Sequence, residues 1–424
     1  MSQTGKIAEV LFENALETHE EQIQLLGLVD VFKPNEADMQ NAGNVVWRPV
    51  QQHAPIIDGW DITGQETDII EETYPAVLGT PKNDFVKQRA DDLRDMQFWE
   101  RRGKESGMKQ ASILNANIAS LIANTGSLFY RISTGSGYEF VSQAQALMNE
   151  RQTKKGMRHF CLNDRDTLAF SADLAGRQTL QGRPEQTWRT GQIGQNVAEF
   201  DVHTGSFLPN LAGGADPGAT IAADYSGAPE GGSIDAVTKI VTNVDYRVSG
   251  DIQLSAAAAA AFNIGDRITV SGVNAIGLTD KTNTNQLMTF TIVAKDDVAD
   301  TIQVFPKPIA QNDPGLTALQ KAYANVDNQI LNGATVTRLN IDASAKTNIF
   351  WDYDSVEVTS GDAPIELLNE FGGMKVISET MSNGQKMYMA YDGNINDMTF
   401  QCRLFTWYEV TNKNPSANGV AIRG

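Results

Sequence analysis

Between Thr4 and Val29 the apolar residues Ile7, Val10 and Leu11 fall on one side of a helix, while Glu9, Glu13 and Glu17 recur at four-residue spacing on another. This is the pattern of an amphipathic helix carrying an acidic stripe. Pro34 and the polar run after it end the segment, and Pro49, Pro55 and Gly59 shape an extended, two-stranded excursion beyond it. Asp84 stands where an N-cap would stand, and a helical pattern runs from there, with interruptions, to about Leu121. Gly103 and Gly107 weaken its middle by about 1 kcal/mol each relative to alanine. The run from Ile113 to Ile122 keeps an apolar stripe suited to packing on a sheet.

From Gly137 to Val202 the pattern is mixed, with a helix near Tyr138 to Gln152 and a strand over Met157 to Leu162. Composition shifts near Leu208 into stretches rich in glycine, proline and serine. Strand candidates follow at Val237–Thr242, Ile252–Leu254, Arg267–Gly272, Met288–Val293 and Thr301–Phe305. Short strands at this spacing, punctuated by turns, predict a small antiparallel barrel or sandwich. The alanines Ala256 to Ala261 predict a helical turn or two before the turn at Gly265 and Asp266. The last part of the chain alternates strands (Asp354–Thr359, Met387–Tyr391, Met398–Tyr408) with a helix over Glu366–Gly373, and no internal repeat is present.

With 424 residues the chain exceeds what one core usually organises, and 41% hydrophobic residues suffice for two or three units. A net charge of −18 argues against broad nucleic-acid binding, which relies on lysine and arginine neutralising phosphates. Cys161 and Cys402 are too few for a disulfide framework and read as reduced, partly buried thiols. The first residues lack the basic and apolar regions of a signal peptide, and no apolar run reaches the length of a membrane span. A soluble intracellular product is expected.

Catalytic and metal-binding patterns are thin. The four histidines (His19, His53, His159, His203) form no His-Glu-x-x-His motif, and there is no nucleophile elbow, P-loop or Gly-x-Gly-x-x-Gly. His159 and Cys161 alternate on a strand, but tetrahedral zinc needs more partners, so they read as a buried, non-liganding pair. The run from Asp392 starts like a calcium loop. It then places Asp397 where the sharp turn needs glycine and Arg403 where a bidentate glutamate is needed, and so reads as a turn between strands. No enzyme activity, metal or cofactor is expected.

The charges are better suited to self-assembly. Asp58, Asp61, Glu66, Asp68, Glu71 and Glu72 form a loop without lysine or arginine, and Arg101, Arg102 and Lys104 follow in the next helical region. Complementary charge of this kind fixes register between copies, and Trp60 would anchor the loop.

These segments also carry a resemblance. The Trp-Arg-Pro-Val run at Trp47, Gly-Trp-Asp at Gly59, Asn-Asp-Phe at Asn83 and Arg-Ala-Asp-Asp-Leu-Arg-Asp at Arg89 occur in order. Pro-Lys-Pro at Pro306, Ala-Tyr-Ala-Asn-Val at Ala322, Lys-Thr-Asn-Ile-Phe-Trp at Lys346 and the pattern Cys402-Arg-Leu, Trp407-Tyr, Asn412, Pro415, Gly419-Val follow. Together they resemble the major capsid (coat) proteins of short-tailed, Lederbergvirus-type double-stranded DNA bacteriophages. The resemblance implies an α+β, Hong-Kong-97 type fold. By position it implies an N-terminal arm at 1–34, an E-loop at 44–81, a peripheral domain with its spine helix at 82–136, an axial domain beginning at 137–216, an inserted antiparallel β-barrel at 217–343, and the axial and peripheral remainder at 344–424.

As function, the resemblance implies a virion protein, assembled in the host cytoplasm as hexamers and pentamers of an icosahedral procapsid that later expands. Its implied partners are other copies of itself, a scaffolding protein, a portal protein, and packaged DNA enclosed without sequence-specific binding. In related phages an acidic residue of the arm receives a basic scaffolding helix, and Glu13, flanked by Glu9 and Glu17, is the position that aligns. Two other readings are an encapsulin-like cellular nanocompartment shell, which shares the fold, and a carbohydrate-binding β-protein suggested by the barrel.

Overall fold

The computed structural model describes residues 3–34, 45–50, 60–61, 63, 69–89, 93, 95–132, 137–153, 156–176, 194–215, 218–234, 237–238, 241–340, 343–363, 375–394 and 396–423. Its chain forms two compact units. The first combines Met1–Val46, Ala76–Ile118 and Glu357–Thr411; the second combines Trp47–Pro75, Ala119–Val356 and Asn412–Gly424.

In the first unit an antiparallel sheet has the order Lys375–Thr380, Lys386–Asn394, Thr399–Thr406, Lys82–Arg89. Helix α1 (Gln3–Gln22) lays Ala8, Leu11, Phe12 and Ala15 into a core with Val86, Met387, Met389, Phe400 and Leu404. The buried stripe is therefore centred on Ala8, Leu11, Phe12, Ala15 and His19, whereas Ile7 and Val10 are half-buried at its margin. Small residues in the stripe let α1 approach helix α2 (Met96–Thr125) closely. A Cβ at Gly103 would meet the Leu11 carbonyl oxygen at 2.6 Å, and one at Gly107 would meet that of Ala15 at 2.2 Å. The two glycines that weaken the helix in isolation are the seat of α1.

Asp84 does not cap α2. It lies in the strand Lys82–Arg89, opposite Leu404, where Val86 faces the core and Phe85 faces out. The cap falls to Asp95, whose Oδ1 accepts from the Phe98 amide at 3.2 Å. Asp84 shows the local signature of a cap, but the cross-strand partner that makes it a strand residue lies more than three hundred positions away. The predicted strand Met398–Tyr408 is likewise two strands. Thr399–Thr406 belongs to the four-stranded sheet, and Tyr408–Asn412 to a three-stranded sheet with Val356–Ser360 and Asp30–Phe32. At the break, the Trp407 indole donates to the Gly79 carbonyl at 2.7 Å.

The second unit holds a six-stranded mixed sheet in the order Leu128–Ile132, Asn418–Arg423, Asn348–Asp352, Arg158–Leu162, Phe200–Thr204, Gly194–Val197. Helices α3 (Gly137–Glu150) and α4 (Asp164–Gly176) follow two of its strands in the chain. One face of the sheet joins Phe140, Val141, Ala144 and Met148 of α3 to Phe160, Phe200 and Phe350. The predicted helix near Tyr138 and strand near Met157 are thus present. Between them and the C-terminus lies a five-stranded antiparallel sheet, ordered Ile252–Gln253, Thr301–Phe305, Asn283–Asp296, Arg267–Ile276, Val336–Arg338. Bridges from Thr220 to Thr335 and from Ile221 to Leu254 link its two edges around a core of Phe262, Ile268, Val270, Phe290, Ile292 and Val304. Linking the edges leaves fewer unpaired backbone groups there, as in small barrels.

The alanine run forms a single 3₁₀ turn at Ala259–Ala261. Of the predicted strand Val237–Thr242, Val241–Thr242 pairs with Ser233–Ile234, while Lys239 and Ile240 lie outside the described residues. The predicted helix Glu366–Gly373 lies outside them entirely.

Candidate assembly interface

Helix α1 presents its charge outward. With Ala8, Leu11, Phe12 and Ala15 inside, helical geometry places Glu9, Glu13 and Glu17 on the solvent side, and all three are exposed. Two further contacts pin the end of the helix. Glu20 Oε1 accepts from the Ser382 amide at 2.7 Å, and buried His19 places Nδ1 3.1 Å from the Met381 sulfur. Burial pushes the His19 imidazole down to about 4, with Glu20 opposing the shift.

On α2, Arg101 and Lys104 are exposed, but Arg102 is not a free surface cation. Its Nη2 lies 2.6 Å from Asp84 Oδ1, with both side chains about four-fifths covered. An N-cap role for Asp84 does not include this pair, which the strand position makes possible. The helix also exposes Met108, Lys109 and Ile113, which the charge pattern alone does not single out.

Of the acidic loop residues, Asp58, Glu66 and Asp68 lie outside the described residues. Trp60 is fully exposed and packs against none of the described residues. Asp61 is exposed, and the Thr63 hydroxyl and amide hold its carboxyl below the usual carboxylate range. Glu71 is exposed, whereas Glu72 is buried. Burial pushes the Glu72 carboxyl up to about 7, with Lys307 opposing the shift and Glu230 adding to it.

Neither cysteine is reactive in its surroundings. Burial pushes both thiols up to about 12, with Asp164 near Cys161 and Asp84 near Cys402 adding to the effect. His159 is buried beside Cys161, with its ring 5.7 Å from those of His203 and Trp351. Among the described residues no group of three or more His, Cys, Asp or Glu could hold a metal ion. No helix among them is long and apolar enough to cross a membrane.

A family model described as P22 coat protein, gene protein 5, matches residues 1–424. Solved structures give weaker likenesses. One from Mycobacterium phage Che8 is 9% identical over 94% of this chain and 90% of that chain, with a TM-score of 0.42. The capsid structure of cyanophage P-SCSP1u is 9% identical over 94% and 86%, with a TM-score of 0.44. The I-domain of the CUS-3 coat protein is 26% identical over 30% of this chain and 99% of that chain, with a TM-score of 0.23.

Proposed function

The chain belongs to the P22 coat protein family and is a structural protein of a bacteriophage capsid, and we propose that it is the subunit from which hexamers and pentamers of a scaffold-assisted procapsid are built. The family match over the whole chain carries this reading. The shell encloses double-stranded DNA without sequence-specific contacts, consistent with a net charge of −18. It leaves one vertex to a portal ring and matures by expansion.

Contacts between copies use the acidic loop, with Trp60 as its anchor, against the exposed face of α2 on a neighbouring subunit. Exposed aromatic and apolar groups rimmed by charge are typical of interface hot spots. Because Arg102 is engaged with Asp84 inside its own unit, the residues available to a neighbour are Arg101 and Lys104. Reversing both to glutamate is expected to leave the subunit folded by circular dichroism and to cut particle yield in electron micrographs by about tenfold or more. Normal yield across a range of salt removes this pairing.

The arm is the docking site for the scaffolding protein. Its apolar side is consumed by the first unit's core, so the exposed acidic stripe of Glu9, Glu13 and Glu17 is what a basic helix would meet. Like charges at this spacing cost a few tenths of a kcal/mol in an isolated helix, which a basic partner would offset. Glu13→Lys is expected to weaken scaffold binding, measured by co-sedimentation, and to yield aberrant or empty shells. Wild-type binding should fall as salt is raised. Scaffold affinity unchanged by the substitution and indifferent to salt places the docking site elsewhere.

A further inference from the structure

At the base of the acidic loop, entirely within the second unit, lies a cavity of about 120 Å³. Its titratable lining is Glu72, Tyr246, Arg247, Lys281, Lys307 and Tyr323, beside the neutral polar Asn325, Asn414 and Ser416, so three cations face a single carboxylate. Arg247 is neutralised locally, since Asp245 accepts from its Nη2 at 2.7 Å and from its Nε at 2.8 Å. The two lysines are less well matched. Lys307 is buried, and its ion-pair partner among the described residues is Glu230 at 3.8 Å, whose side chain is 54% exposed. Lys281 donates to the Ala324 carbonyl at 2.9 Å, a neutral acceptor. Glu72 is 7% exposed, and its Oε1 has no hydrogen-bond partner among the described residues. A buried carboxyl oxygen without a partner costs about 1–3 kcal/mol, so a site that keeps one has a use for it or fills it with a ligand or water.

We propose that this cavity binds a small tetrahedral oxyanion of the sulfate or phosphate class, held between the ammonium groups of Lys281 and Lys307. The volume suits a cluster of waters or one such ion and excludes a polymer backbone. Two ammonium groups give the charge-assisted hydrogen bonds that oxyanions need. Glu72 supplies the third contact when protonated, donating to the ion from Oε1, which has no hydrogen-bond partner among the described residues.

The groups facing Glu72 are Lys307, Arg247 and Lys281, the phenols of Tyr246 and Tyr323, and Glu230. Burial outweighs Lys307 and holds the Glu72 carboxyl at about 7, so it is largely neutral below that pH. Lys281, pushed down to about 8 by burial, is still charged there. Ion binding therefore takes up a proton. Affinity is highest in mild acid, falls as Glu72 ionises, and falls again as Lys281 loses its charge.

The probe is sulfate, whose charge is constant across this range, titrated calorimetrically into the full-length chain at fixed ionic strength with chloride as the balancing ion. One saturable site is expected at pH 6.5, with affinity about tenfold weaker by pH 8.5. Lys307→Met should weaken binding by about tenfold or more. Glu72→Gln, which keeps the shape and the donor, should still bind and should lose the pH dependence between 6 and 7.5. Absence of saturable binding to the wild-type chain at pH 6.5 overturns the site. So does a Glu72→Gln chain whose affinity follows the wild-type pH profile, a result that does not depend on how Lys307→Met folds.

Discussion

Arg267→Met is expected to lower the unfolding free energy of the chain by about 2–6 kcal/mol, read from the urea midpoint. Arg267 is fully buried in the first long strand of the five-stranded sheet. It makes no carboxylate ion pair among the described residues and donates instead to backbone carbonyls at the end of α2 and beyond. Nη2 reaches Ala123 O and Gly126 O, Nε reaches Gly126 O at 3.2 Å, and Nη1 reaches Gly265 O. The last carbonyls of a helix lack intrahelical donors and carry partial negative charge, so a cation there is favourable. Burial pulls the guanidinium down to about 9, with Asp266 opposing, and it remains charged at neutral pH.

Methionine fills part of the volume but leaves Ala123 O and Gly265 O buried without that donor. Gly126 O keeps the Thr291 hydroxyl at 2.7 Å. Two acceptors are therefore lost, at about 1–3 kcal/mol each. The side chain ties the helix end to the five-stranded sheet, so the same substitution should reduce the yield of assembled particles. A midpoint shift equivalent to less than about 1 kcal/mol would mean that the carbonyls find other donors.

Gly107→Ala is expected to destabilise the first unit by about 1–3 kcal/mol, opposite to what helix propensity predicts. In an isolated helix the change gains about 1 kcal/mol. Here the added methyl would lie 2.2 Å from Ala15 O and 3.1 Å from the His19 amide nitrogen, backbone atoms that move only if α1 moves. Steric cost exceeds the propensity gain, and α1 should lift from its seat. Limited proteolysis should then cut within the arm of the variant under conditions that spare the wild type. Gly27→Ala is the control, because its methyl would meet nothing within 4 Å and should leave stability within about 0.5 kcal/mol. Equal stability of Gly107→Ala and the wild type would mean that the helices do not pack this closely.

The sequence by itself determined the elements whose evidence is local. The 3.6-residue period of the arm specifies a helix with Glu9, Glu13 and Glu17 on one face, and the period holds whatever that helix packs against. Alternation and turn residues likewise specify the strands at Arg267, Met288 and Thr301, because side-chain period and turn chemistry are properties of a few neighbouring residues. The colinear motifs identified the family, a match that spans residues 1–424.

Only the tertiary structure decided which face each element buries and what each charge meets. Asp84 is a strand residue paired with Arg102, not a cap, because its cross-strand neighbour is Leu404. Gly107 is a contact surface because Ala15 passes over it, and Glu72 is a buried carboxyl because Lys307 and Tyr246 close around it. Each of these depends on atoms brought together from distant parts of the chain. A residue's neighbours in sequence set its conformational preferences, but its burial, its hydrogen-bond partners and the sign of its effect on stability are set by neighbours in space.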